Sequence, residues 1–161
     1  MYLYYGSNIK VVNPKIVNSK RSLDFGKGFY LTTDLEQAKK WARLITKRRG
    51  KGIATVSVFN YDSDNELKIL KFATPNIKWL KFVSYHRKML NLEEKYDVII
   101  GSVANDRTMP VVNLYLSGQY NEKEALKRLL PQKLNDQFVF KSNKSLKCLK
   151  FKEAINCEED I

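Results

Sequence analysis

The apolar residues of this chain come in short runs broken by glycine, proline and polar clusters, and only three stretches carry helical spacing. That pattern constrains the fold most. Short runs rich in β-branched and aromatic residues suit strands. Strands are expected at Met1–Tyr5, Phe29–Thr32, Ile53–Phe59, Leu67–Phe72, Tyr96–Ile100 and around Phe138–Phe140. Gly6 is expected to end the first and Gly101 the fifth. The clearest helix follows Thr33, where Leu35, Ala38, Trp41, Ala42 and Ile45 share one face. Thr33 and Glu36 have capping-box spacing, Lys47 to Arg49 suit the final turn, and Gly50 is a stop. A second helix carries Trp79, Phe82, Val83, His86, Met89 and Leu90. A third, capped by Asn121 with Glu124, carries Leu126, Leu129 and Leu130. Val111 to Leu116 is too short a run to decide between strand and helix. The elements do not alternate as regular βαβ units, so a single mixed α/β or α+β unit is expected, not a dinucleotide-binding Rossmann sheet.

At 161 residues the chain fits one domain, taken as 1–152, with an acidic C-terminal tail at 153–161. No apolar run approaches the roughly 20 residues that span a bilayer, and the N-terminus lacks the apolar core of a signal peptide, so a cytoplasmic protein without a membrane partner is expected. Two cysteines, Cys148 and Cys157, cannot form a disulfide framework, and with His86 as the single histidine no metal site is expected. His86 reads as a packed or helix-surface residue. The 29 basic residues exceed the 17 acidic by 12, a field that attracts nucleic acid or another polyanion. The densest clusters are Lys47-Arg48-Arg49 with Lys51, and Lys144 to Lys152. No aromatic residue interleaves with the first cluster as in a base-stacking platform.

Four segments carry chemistry: Tyr4-Tyr5-Gly6-Ser7-Asn8; Asp24-Phe25-Gly26-Lys27-Gly28-Phe29-Tyr30; Gln37-Ala38-Lys39-Lys40-Trp41; and Asn135-Asp136-Gln137-Phe138-Val139-Phe140. The glycine segment has neither Walker nor dinucleotide spacing. It suits a tight turn beside a flat ligand, or simply a β-turn entering a core strand. Asp24 can accept the backbone N–H groups of that turn. Lys27 can meet a pyrophosphate or face solvent. Asn105-Asp106-Arg107 is polar for a strand exit and reads either as part of a cleft or as an Asx-turn with a surface ion pair.

These segments resemble the ADP-ribosyltransferase superfamily and, more closely, a bacterial family known as domain of unknown function 3990, over roughly residues 2 to 151. The resemblance implies an α+β fold with a split β core of two small sheets and flanking helices. NAD would lie in the cleft between the sheets. Tyr30 and Trp41 match the aromatic rings on either side of the nicotinamide, an arrangement that suits a pyridinium cation. Gly6 matches the residue whose backbone pairs with the carboxamide, and Ser7 a hydroxyl near the ribose. Tyr5, Asp24, Gly26, Lys27, Gly28, Asn105 and Arg107 complete the implied NAD-binding set.

The implied reaction cleaves the nicotinamide–ribose bond through an oxocarbenium-like state and transfers ADP-ribose to a protein or nucleic acid. It would make the chain a bacterial toxin or phage-type effector, with an antitoxin or regulatory protein as a further partner. Gln137 stands where the superfamily places a glutamate. It can orient a ribose hydroxyl but carries no charge. Tyr5 stands where a histidine is usual. Gln137, Tyr30, Tyr5 and Asp106 are the residues assigned to catalysis, with Asp106 or Asp136 available as a carboxylate. The alternatives are a catalytically silent NAD- or nucleotide-binding module and a basic nucleic-acid-binding protein.

Overall fold

The computed structural model describes residues 1–16, 25–88, 95–102, 108–129 and 136–158. Its strands are β1 (Tyr2–Ser7), β2 (Phe29–Thr32), β3 (Thr55–Tyr61), β4 (Ile69–Lys71), β5 (Val98–Ser102), β6 (Asp136–Phe140) and β7 (Leu149–Asn156). Its helices are α1 (Leu35–Arg49), α2 (Ile77–Lys88), α3 (Met109–Leu116), α4 (Glu122–Leu129) and α5 (Asn143–Leu146). The α+β class agrees with the sequence. Two small sheets are not seen: all seven strands join one sheet in the order β4-β5-β6-β2-β1-β3-β7. The pairs are antiparallel except β4 with β5.

The seam between β2 and β1 is thin. Its ladder is the single pair Tyr4↔Thr32. On its other side β1 pairs with β3 along its whole length, from Tyr2↔Asn60 to Ser7↔Thr55. Four strands thus lie on one side of the seam and three on the other.

Period-two alternation assigns the side chains to two faces. On one face Leu3, Phe29, Leu31, Phe59, Tyr61, Phe138 and Phe140 form a buried cluster. Val11 and Ile16 pack against this cluster from the segment after β1. The other face carries two helical blocks. The first is α1, whose Ala38 and Ala42 pack with Val56 and Val58 of β3. The second is α2, α3 and α4, where Trp79, Leu80, Val83, Val112 and Leu129 pack with Ile99 of β5 and Val139 of β6.

Local details depart from the sequence reading where backbone groups found better partners. Asp34, not Thr33, caps α1, and its side chain accepts from the Gln37 N–H at 3.1 Å. The Thr32 hydroxyl accepts from the Asp34 N–H at 3.1 Å, which sets the entry one residue later than expected. Gly50 ends the helix with φ 67°, as a left-handed cap should. Asn121 accepts from the Glu124 N–H at 2.8 Å, so the expected cap of α4 is present. The undecided run Val111 to Leu116 lies in helix α3, with Val111 and Val112 buried. Neither Gly6 nor Gly101 breaks its strand.

Gly6 has a specific task. A Cβ there would collide with the Ala38 carbonyl oxygen and come within 3.0 Å of the Ala42 nitrogen. The absence of a side chain is what lets α1 lie on β1. Gly6→Ala should therefore lower stability by about 1–3 kcal/mol or more, read as a fall in the urea midpoint at unchanged slope. An unchanged midpoint would show that α1 does not approach β1 this closely.

Candidate functional site

The two helical blocks meet the sheet on either side of β2, and the row of side chains between them is polar. Val139 of β6 belongs to the cluster under α2–α4, and Gln137, two residues away, shares its face. In register, Gln137 lies between Thr32 of β2 and Gly101 of β5. Gly101 carries no side chain beside Gln137, and the Phe72 and Phe25 side chains close in on it, 3.2 and 3.3 Å from where a Cβ would stand. The Gln137 Oε1 is buried and has no hydrogen-bond partner. A buried acceptor without a donor is costly, and it marks a place where a ligand hydroxyl or amide could complete the bonding.

Thr32 joins this row to α1. Its hydroxyl donates to the Gln37 Oε1 at 3.0 Å. Trp41 lies one turn further along the same flank of α1. It is 48 % exposed, and the Arg48 guanidinium sits 5.9 Å from its ring centre. The opposite flank faces the chain just after β7, where Arg43 Nε donates to the Cys157 carbonyl at 2.7 Å. Trp41 was expected on the buried face with Ala38 and Ala42. It stands instead half-exposed on the flank of α1, while Ala38 and Ala42, with Leu35 beside them, make the contact with the sheet.

Tyr30 shares the face of Thr32 and packs against the α2–α4 cluster. Its hydroxyl donates to the Gly26 carbonyl and accepts from the Phe25 N–H at 3.3 Å. The ring therefore folds back over the glycine turn. Gly26 has φ 78°, a left-handed conformation that glycine adopts without penalty. Gly28 passes against Val139 and Phe140 of β6. Lys27 lines a cavity of about 710 Å³ together with Lys15, Lys141 and Ser142. The Lys141 ammonium donates to the Phe25 carbonyl.

Tyr5 and Ser7 do not join Tyr30 and Gln137. Strand alternation turns them to the opposite face, while Gly6 between them faces α1. The Tyr5 ring stacks on Phe29 with centres 4.4 Å apart. Burial pushes the Tyr5 phenol above its ordinary value of 10.0, and the Arg49 charge and the Ser7 hydroxyl pull it partly back. Ser7 is buried, and its hydroxyl donates to Asn8 Oδ1 at 3.4 Å. Asp24, Asn105, Asp106 and Arg107 lie outside the described residues.

Sequence reasoning gave no role to three residues of this region, although Asn8 and Gln37 stand in segments it singled out. Thr32 and Gln37 bridge the strand and the helix, and their spacing across a helix cap was the available signal. Asn8 takes a 2.7 Å hydrogen bond from Arg49 and donates to the Lys51 carbonyl at 3.2 Å, which fixes the end of α1 to the end of β1. Among the described residues no group of three or more His, Cys, Asp or Glu side chains is placed to hold a metal ion. Among them too, no helix is long and apolar enough to cross a membrane.

The fold and site define a basic α+β domain whose sheet carries a polar row between two helical blocks. The chain belongs to the family described as a protein of unknown function, DUF3990, which matches residues 1–151. No curated protein and no solved structure matches it.

The burial of Tyr5 has a consequence at alkaline pH. Its folded pKa lies above that of the unfolded chain. The neutral phenol contributes its full stability below the unfolded value, and that contribution is lost as pH rises through the folded value. Tyr5→Phe, with no proton to lose, should keep more stability between pH 9 and pH 11, by at most about 1.4 kcal/mol per pH unit. Urea unfolding across that range checks this, and parallel losses in both proteins would rule out a buried Tyr5.

Proposed function

We propose that the protein is a mono-ADP-ribosyltransferase that consumes NAD and works in the polar row between the helical blocks. The observation that carries the reading is the buried, unpartnered Gln137 Oε1, set between Thr32 and the side-chain-free Gly101. A ribose hydroxyl is a donor of the kind this acceptor lacks. The thin β1–β2 seam also favours the reading. Gly6 lies just past its single ladder pair, where a strand backbone can receive a carboxamide. The seam is where a split core would divide.

In this reading Tyr30 offers its ring to the nicotinamide, with the hydroxyl held by the glycine turn. Trp41 flanks the row from α1. Lys27, on the glycine turn, offers its ammonium group to the pyrophosphate. Gln137 orients the ribose without supplying charge. NAD supplies the labile ribose–nicotinamide bond: that bond breaks, nicotinamide leaves with the electron pair, and an acceptor nucleophile bonds to the ribose carbon and gives up its proton. Tyr5 and Ser7 act from beneath, by holding β1 against β2 and β3.

Purified protein incubated with labelled NAD and a cell extract should release nicotinamide and label a macromolecule. Gln137→Ala should lower release about tenfold or more, the worth of one well-placed hydrogen bond. Gln137→Glu should retain or raise it. Folded wild-type protein that neither releases nicotinamide nor transfers label would overturn the reading. If that protein still binds NAD by calorimetry, the site is a silent binding module.

A further inference from the structure

Helix α1 contains Lys39, Lys40, Arg43, Lys47, Arg48 and Arg49 against the single acid Glu36. Three of these cations are engaged by neighbours in the fold. Lys39 pairs with Glu36 at 3.4 Å, Arg43 bonds the Cys157 carbonyl, and Arg49 bonds Asn8. Among the described residues Lys40, Lys47 and Arg48 carry no ion pair. The helical period places Arg48 two turns from Trp41 on one stripe, with Leu44, 40 % exposed, between them. Lys40 and Lys47 lie on the adjoining stripe, further out. Basic and aromatic groups that are separated in sequence are therefore one surface in the fold, on the flank of α1 that borders the Gln137 row.

We infer that this flank binds a single-stranded nucleic acid, whose base stacks on Trp41 and whose phosphates meet Lys40, Lys47 and Arg48. The inference rests on the transferase reading in one respect: it makes that strand the acceptor brought to the Gln137 row. The chemistry is specific. A guanidinium over an exposed indole disfavours a second cation and favours an anion beside a flat ring. A nucleotide offers both parts, since every base has a stacking face and every linkage a negative charge. An acidic protein would answer the cations but leave the indole unused. Duplex DNA would answer them with its bases already stacked on one another. The overall excess of 12 positive charges steers any polyanion toward the protein, and the cations beside Trp41 that carry no ion pair give it a place to settle.

The test is binding of fluorescein-labelled 12-mers by anisotropy, as RNA, single-stranded DNA and duplex DNA, across a salt series. Both single strands should bind more tightly than the duplex, and the tighter of the two identifies the preferred acceptor. Trp41→Ala should weaken single-strand binding by about 5- to 150-fold, and Trp41→Phe should recover most of the loss. Changing Lys40, Lys47 and Arg48 together to Gln should reduce the slope of log affinity against log salt by about 2. Trp79 is fully buried, so quenching of the exposed Trp41 emission on binding provides a second reading that Trp41→Phe abolishes. Far-ultraviolet circular dichroism confirms that each variant is folded.

Equal affinity for single strand and duplex, or unchanged affinity in folded Trp41→Ala, would overturn the inference. So would Trp41-dependent binding to phosphatidylglycerol vesicles without binding to the oligonucleotides. The failure of the two readings is distinguishable. Trp41-dependent binding of the strand by protein that neither releases nicotinamide nor labels any macromolecule counts against the transferase, whereas nicotinamide release with label passed only to protein counts against the strand as acceptor. NAD turnover without single-strand binding counts against this surface alone.

Discussion

The close approach of α1 to β1 at Gly6 is the contact on which the helical face depends. Ala38 and Ala42 keep the helix surface low, and Gly6 keeps the strand surface lower still. Any side chain at Gly6 would lift the helix from the sheet. The position of Trp41 and the contact between Thr32 and Gln37 follow from that approach. The far end of the helix is fixed separately, where Gly50 turns the chain and Asn8 holds Arg49 and the Lys51 carbonyl. A helix held at both ends is a rigid wall for whatever lies beside it.

The sheet has an unequal construction. Its faces are apolar under both helical blocks and on the side that Val11 and Ile16 cover, yet one strip near its middle is polar. That strip coincides with the thin seam and with the interval between the blocks. A fold built only for stability would fill such a strip with apolar side chains or satisfy Gln137. Retaining a buried carbonyl oxygen without a donor costs about 1–3 kcal/mol, a cost that the buried Tyr61 and Ser84 hydroxyls share elsewhere in the fold.

Much of this was legible in the sequence because it depends on local chemistry. The strand Phe29–Thr32, the Gly50 stop, the Asn121 cap and the packed His86, whose Nδ1 lies 3.0 Å from the Phe82 carbonyl, follow from neighbours along the chain. Trp79, on the expected second helix, is fully buried, with its Nε1–H donating to the Ser102 carbonyl at 2.6 Å. The errors have local causes too. Asp34 took the cap from Thr33 because its carboxylate reaches the Gln37 N–H while Thr32 takes Asp34's own. Gly6 was read as a strand breaker from conformational freedom, when its use was the space it leaves.

What the sequence determined is the set of elements, the excess of positive charge and the membership of a family, since each is written in residue type and spacing. What only the tertiary structure decided is which residues meet. Alternation along β1 sent Tyr5 and Ser7 to one face and Gly6 to the other, so residues adjacent in the chain serve different sides of the sheet. Non-sequential strand order set Gln137 of β6 beside Thr32 of β2. Helical winding gathered Trp41 and Arg48 onto one flank. These juxtapositions depend on sheet register and helix phase, which are fixed by packing against the rest of the molecule and not by any segment alone.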